Sequence, residues 1–134
     1  MAKITGLAHV GIFVADIERS KKFYDDVLGF ETIFEFEVDE EAGVKKVAFV
    51  RNGDFTLEFI QRPNPQKLTG GLIDHIALAA NDIAGVKDNL ARRGVKFETE
   101  EILSNLKVFP KGTKWIKFRG PDGEILELNE VLDI

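Results

Sequence analysis

Apolar and polar residues alternate at the start of the chain. Ala8, Val10, Ile12 and Val14 fall on one side of an extended segment, and His9, Gly11 and Phe13 on the other. That period of two is the mark of a half-buried strand. The same alternation returns over 73–79, where Ile76 and Leu78 oppose His75, Ala77 and Ala79. After each strand the period lengthens to that of a helix. Ile17, Phe23, Tyr24, Val27 and Leu28 form one apolar face, with Asp16 as N-cap and Gly29 as the stop. Ile83, Val86 and Leu90 form another, capped by Asp82 and ended by Gly94. Two further strands alternate in the same way. Phe55, Leu57 and Phe59 oppose Thr56, Glu58 and Ile60, while Leu126 and Leu128 oppose Ile125, Glu127 and Asn129. Asn52-Gly53 and Pro121-Asp122-Gly123 precede these strands and predict tight hairpin turns, since glycine accepts the positive φ they require.

These elements repeat in order. Residues 9–30 (HVGIFVADIERSKKFYDDVLGF) match 75–95 (HIALAANDIAGVKDNLARRGV), and 45–59 (KKVAFVRNGDFTLEF) match 113–128 (TKWIKFRGPDGEILEL). His9 and His75 lie 66 residues apart, Glu58 and Glu127 69 apart. Two motifs in one order at nearly one offset indicate a duplication. Each copy reads β-α-β-β-β. The second strand of the first copy is expected over 31–41 (ETIFEFEVDEE), and its shorter counterpart near 95–99. The expected architecture is α+β: two tandem βαβββ modules, about 4–62 and 71–132, forming a single domain over 1–134. The Pro- and Gly-bearing segment 62–71 (RPNPQKLTGG) is too short to separate independent domains.

Composition narrows the chemistry. A chain of 134 residues with 44% hydrophobic and 31% charged residues can bury a core without covalent staples. It contains no cysteine, which removes disulfides, thiolate metal sites and cysteine nucleophiles. The net charge of −5, with acids and bases interspersed, argues against nucleic acid as the main partner. No apolar run is long enough to span a membrane, and the start, Met-Ala-Lys-Ile-Thr-Gly, lacks a signal-peptide core; a cytoplasmic protein without a membrane partner is expected. The two histidines of the chain, His9 and His75, carry any imidazole chemistry.

Strand alternation then places four polar residues together. The aliphatic faces suit packing against the helices, leaving His9, Glu58, His75 and Glu127 on the opposite faces, one His/Glu pair per copy. Taken singly, a strand histidine is ordinarily a hydrogen-bonded structural residue and a strand glutamate ordinarily solvated. Taken together, two imidazoles and two carboxylates suit one divalent ion of borderline hardness: Ni²⁺, Zn²⁺, Co²⁺, Fe²⁺ or Mn²⁺. Two buried carboxylates without a cation would cost several kcal/mol unless one took up a proton.

At these residues the chain resembles the vicinal oxygen chelate superfamily, which includes glyoxalase I and the bleomycin- and fosfomycin-resistance proteins. The matching stretches are the segment from His9 to Phe30, Thr-Leu-Glu58-Phe, Asp-His75-Ile-Ala-Leu and Pro-Asp-Gly-Glu-Ile-Leu-Glu127-Leu, nearly the whole chain. The resemblance implies that the paired modules curl into a cup-shaped sheet around one metal ion held by His9, Glu58, His75 and Glu127. Within the family, this His, Glu, His, Glu set most resembles bacterial glyoxalase I, or lactoylglutathione lyase. Methylmalonyl-CoA epimerases usually carry Gln at the place of Glu58. The implied chemistry is conversion of the hemithioacetal of methylglyoxal and a thiol, glutathione or similar, into a thioester. In it the metal acts as a Lewis acid on the enediolate, Glu127 is the catalytic base, and Glu58 is its quasi-symmetric partner. A homodimer is expected from the same resemblance.

One position departs from the pattern. Many glutathione-dependent members have an arginine four residues after the first histidine, where this chain has Phe13. Arg51, Arg62, Lys107, Lys111 and Lys117 are the alternative cations, each also readable as ordinary solvated charge. The loop 103–113 (LSNLKVFPKGT) is a lid or a connection, and Phe109 and Trp115 are pocket or core aromatics. Two other readings stand beside the lyase: another metal enzyme of the superfamily (epimerase, thiol transferase or dioxygenase), and a non-catalytic small-molecule-binding or resistance protein.

Overall fold

The structure, a computed structural model, describes residues 3, 7–64 and 73–132. Most of the 62–71 linker and both extreme ends therefore lie outside the described residues. The chain divides into two compact units, Met1–Leu68 and Thr69–Ile134.

The first unit runs β1 (Val10–Phe13), α1 (Ile17–Leu28), β2 (Glu31–Glu40), β3 (Gly43–Asn52) and β4 (Phe55–Gln61). Its sheet has the order β1-β4-β3-β2, with β1 parallel to β4 and the other neighbours antiparallel. The second unit runs β5 (Ile76–Ala79), α2 (Ile83–Arg92), β6 (Leu103–Asn105), β7 (Thr113–Arg119) and β8 (Ile125–Val131). Its sheet, β5-β8-β7-β6, repeats the same order and the same strand senses. Both expected βαβββ modules are present.

Each helix packs on the aliphatic face of its own sheet. In the first unit Ile17, Tyr24, Phe30, Leu57 and Phe59 are buried, and the Tyr24 ring meets Phe59 at 4.9 Å and Phe30 at 5.4 Å, both edge-on. In the second, Ile83 and Leu90 of α2 are buried, as are Ile116, Phe118, Leu126 and Leu128 of the sheet. Asp16 accepts from the Arg19 amide and Asp82 from the Gly85 amide, so both expected N-caps form. Gly29 closes α1 with φ at 77°. In α2 the cap is Arg93, and Gly94 follows it in the left-handed region at φ 93°.

A further pair of contacts ties each helix start to the last strand of its unit. The Ile17 amide donates to Gln61 Oε1 at 2.7 Å, and the Ile83 amide donates to Glu130 Oε1 at 2.8 Å. Gln61 and Glu130 lie three residues after Glu58 and Glu127 respectively. The duplication therefore extends to how each helix is anchored beside its glutamate-bearing strand.

Two expectations need correction. No strand forms at 95–99, where Phe97 makes a single bridge to Phe118. The counterpart of β2 is β6, within the segment expected to be loop, and it is three residues long against ten for β2. The alternating Phe34, Phe36 and Val38 of β2 support a full edge strand, whereas 95–102 offers no comparable run before Leu103. The first hairpin is also shifted by one residue. Asn52 still pairs with Phe55, so the turn is Gly53-Asp54, and the Asn52 amide group instead donates to the Leu28 carbonyl at the end of α1 at 2.9 Å.

Candidate functional site

The parallel pairing of the first and last strands sets the site geometry in each unit. Gly11 lies beside Glu58, and Ala77 beside Glu127. The histidine precedes its strand by one residue in both copies, so His9 and His75 stand at the strand mouths on the same face as the glutamates.

In the first unit His9 Nε2 lies 3.5 Å from Glu58 Oε1, with the imidazole 41% and the carboxylate 22% exposed. Phe49, the neighbour of Glu58 on β3, meets the His9 ring edge-on at 5.3 Å. Gly11 leaves room for the carboxylate: a Cβ there would stand 3.2 Å from Glu58 Oε1.

In the second unit the pair is closer and deeper. His75 Nε2 is 3.0 Å from Glu127 Oε2, and the Glu127 side chain is only 9% exposed. The other ring nitrogen, Nδ1, lies 2.7 Å from Asp74 Oδ2. Hydrogen bonding to His75 holds the Asp74 carboxyl below the usual carboxylate range, with the Lys117 charge adding to it. Lys117 is the β7 neighbour of Glu127, where the first unit has Phe49. The two halves are thus alike in backbone and different in the polarity around their glutamates.

The donor set can be tested for a cation from its chemistry. A neutral imidazole carries one N–H, yet His75 faces a carboxylate at each nitrogen. Both carboxylates, when ionised, only accept. The shorter and hydrogen-bonded contact is at Nδ1, 2.7 Å from Asp74 against 3.0 Å from Nε2 to Glu127, and a neutral ring that donates there has a bare Nε2. The Nε2 lone pair and the nearly buried Glu127 carboxylate then face each other with no proton between them. Two acceptors at 3.0 Å are an unfavourable pair until a cation or a proton joins them. Imidazole nitrogen with carboxylate oxygen is a donor pair that suits a divalent transition ion. His9 with Glu58 offers the same combination. Among the described residues, neither unit by itself gathers three or more His, Asp or Glu side chains placed to hold a metal.

The alternative cations are distributed unevenly. Arg62 follows β4, and its guanidinium sits 3.8 Å above the Phe13 ring, where a cation–π contact orients it. Arg51 pairs with Thr56 and is exposed. Lys107 and Lys111 lie in the exposed stretch after β6, together with Phe109, whose φ is 62°. Trp115 pairs with Asn129 and shares the Glu127 face of its sheet. Two features escaped the sequence pattern. Asp74 was legible only as part of Asp-His, and the stacking of Arg62 on Phe13 depends on the register of β1 against β4.

Comparison with known proteins identifies the family. The family model described as the glyoxalase/bleomycin resistance protein/dioxygenase superfamily matches residues 6–128, both units together. The uncharacterized protein YwbC of Bacillus subtilis is 34% identical over 122 residues, covering 89% of this chain and 92% of its own. Among solved structures, a glyoxalase family protein from Enterococcus faecalis superposes with a TM-score of 0.77 at 25% identity, covering 94% of this chain and 98% of that one. A glyoxalase I from Zea mays gives 0.72 at 25% identity, with 93% of this chain matched to 44% of the longer maize chain. The chain belongs to the glyoxalase/bleomycin resistance protein/dioxygenase superfamily.

Proposed function

We propose that the protein is a metal-dependent lyase of glyoxalase I type, converting the hemithioacetal of an α-ketoaldehyde such as methylglyoxal and a thiol into a thioester. The carrying observation is the repeated His/Glu contact at equivalent places in the two units, 3.5 Å in one and 3.0 Å in the other. Membership of a superfamily whose members commonly bind a divalent ion supports it. In this reading His9, Glu58, His75 and Glu127 serve one ion, of nickel, zinc, cobalt, iron or manganese. Bound there, the ion would supply Lewis acidity to the substrate.

The chain's own residues supply the proton chemistry. Glu127, nearly buried against His75, is the base that takes the proton from one carbon and returns it to the next. Glu58, more open to solvent, is its counterpart on the other half. Arg62, steered by the Phe13 ring, is the donor for an anionic group on the thiol. Because the protein has no cysteine, the thiol arrives with the substrate. A homodimer is part of the same proposal, and sedimentation of the purified protein tests it.

The deciding experiment is thioester formation from methylglyoxal and a panel of thiols by protein loaded in turn with each candidate metal. The expected result is turnover with an anionic thiol, reduced ~10²–10⁴-fold in Glu127→Gln, the range for loss of a general base. No thioester with any thiol and any metal would overturn the lyase reading. Full turnover by Glu127→Gln with its metal retained would overturn the role of that residue.

A further inference from the structure

His75 differs from His9 in one respect that the duplication does not explain. Its Nδ1 has a carboxylate partner, Asp74 Oδ2 at 2.7 Å, whereas Ala8 precedes His9. Asp74 itself is 78% exposed, so it is not held in place by burial, and its side chain is hydrogen-bonded to the imidazole. Asp74 competes with Glu127 for the single proton of a neutral ring and stands nearer to it, 2.7 Å from Nδ1 against 3.0 Å between Nε2 and Glu127. A proton drawn to Nδ1 leaves the Nε2 lone pair toward Glu127 and fixes the ring plane. Free imidazole divides its population between two tautomers and several ring orientations. A histidine already locked with its donor atom aimed loses less on binding an ion. On the first half, the 3.5 Å separation and the greater exposure of both His9 and Glu58 describe a looser pair.

We propose that Asp74 is a positioning residue that locks His75 with Nε2 free and aimed at Glu127, making His75–Glu127 the preorganised half that captures a divalent cation first. The proposal rests on the metal reading above for its second clause, and on geometry within one unit for its first. Orientation of the ring needs no ion to be present, so the two clauses have separate readouts.

The first readout is ¹⁵N NMR of untagged, metal-free protein at a pH where both imidazoles are neutral. With two histidines in the chain, His75→Gln identifies each ring. The Nδ1–H tautomer is expected to dominate at His75 in the wild type and to give way to a mixture in Asp74→Ala. The second readout is Zn²⁺ affinity by competition with a chromophoric chelator. Asp74→Ala is expected to weaken binding ~10–100-fold, the range for loss of an outer-sphere carboxylate, with Asp74→Asn recovering part of it. Thermal unfolding of the metal-free variants should be unchanged, because the side chain is solvent-exposed.

A wild-type His75 that is Nε2–H, or a tautomer population identical in Asp74→Ala, overturns the lock. A zinc affinity equal in wild type and Asp74→Ala overturns the preorganised capture while the lyase reading survives. A wild type that binds no divalent ion overturns both the capture and the lyase reading. In that case a tautomer shift in Asp74→Ala still upholds the lock.

Discussion

Glu58 and Glu127 occupy equivalent places, yet what surrounds each differs residue by residue. Glu58 has Gly11 on one side and Phe49 on the other; Glu127 has Ala77 and Lys117. A nearly buried carboxylate beside a lysine and a clamped histidine is suited to a single, well-defined position. A more exposed one above a glycine, beside an aromatic ring, has latitude to move. The proposed roles, Glu127 as the proton carrier and Glu58 as its counterpart, draw on that asymmetry. On the first half the residue proposed to bear on substrate choice is Arg62. Replacing it by alanine removes a charged hydrogen bond of ~1.5–3 kcal/mol. KM for an anionic thiol adduct is expected to rise about tenfold or more with kcat little changed. A neutral thiol of similar size should show no such rise, and steady-state kinetics on the two thiols checks it. Equal effects on both would mean that Arg62 serves packing on Phe13 and not recognition.

Among the elements, α1 and the edge strand β2 are joined by an ion pair that the sequence pattern does not reveal. Lys21 Nζ lies 2.6 Å from Glu35 Oε2 and 3.0 Å from Glu18 Oε1, its side chain largely covered. Hydrogen bonding to Glu35, followed by that to Glu18 and the charges of both, raises the Lys21 pKa above its ordinary 10.5. A base whose pKa is raised by folding contributes stability that is complete below its unfolded value and lost as pH climbs through the folded one. Lys21→Met is therefore expected to lower stability by ~0.5–1 kcal/mol at neutral pH. The deficit should vanish well above pH 10.5, where the wild type has also lost the pair. Urea unfolding at neutral and strongly alkaline pH measures both ends. β2 has much to gain from such an anchor, since all ten of its residues are exposed and only β3 pairs with it. Its counterpart β6 is too short to need one.

The molecule as a whole consists of two units with their own cores, each carrying half of the proposed donor set. No helix among the described residues is long and apolar enough to cross a membrane. An ion bound only by the native state adds stability by mass action, ~2.7 kcal/mol at a free concentration 100 times its dissociation constant. Zinc at that excess is expected to raise the unfolding midpoint by several degrees, and a chelator to reverse the rise. His75→Ala should abolish most of the shift and His9→Ala less of it, if the second unit is the better-organised half. A midpoint indifferent to every divalent ion would leave small-molecule binding without metal as the reading to pursue.

Much of this was legible in the residues alone. Periods of two and 3.6 located β1, α1, β4, β5, α2 and β8. Asp16 and Asp82 marked the helix starts, and the repeated offsets disclosed the duplication. These features are local: a cap, an amphipathic face or a turn glycine is recognised by residues a few positions away. What the sequence left open depends on partners distant in the chain. The position of β6 was misjudged because a three-residue edge strand has no pattern of its own and exists only by pairing with β7. The contacts of Gln61 and Glu130 with the helix starts and the seat of Arg62 on Phe13 arise from strand register. So does the placing of Gly11 and Phe49 against Glu58 where Glu127 has Ala77 and Lys117. Composition and alternation determined that each half would present one histidine and one glutamate on the same face. Only the folded backbone decided how near those two groups stand, how deeply each is covered and which neighbours surround them. Distance, burial and field are properties of space, and a linear pattern constrains them only through the fold.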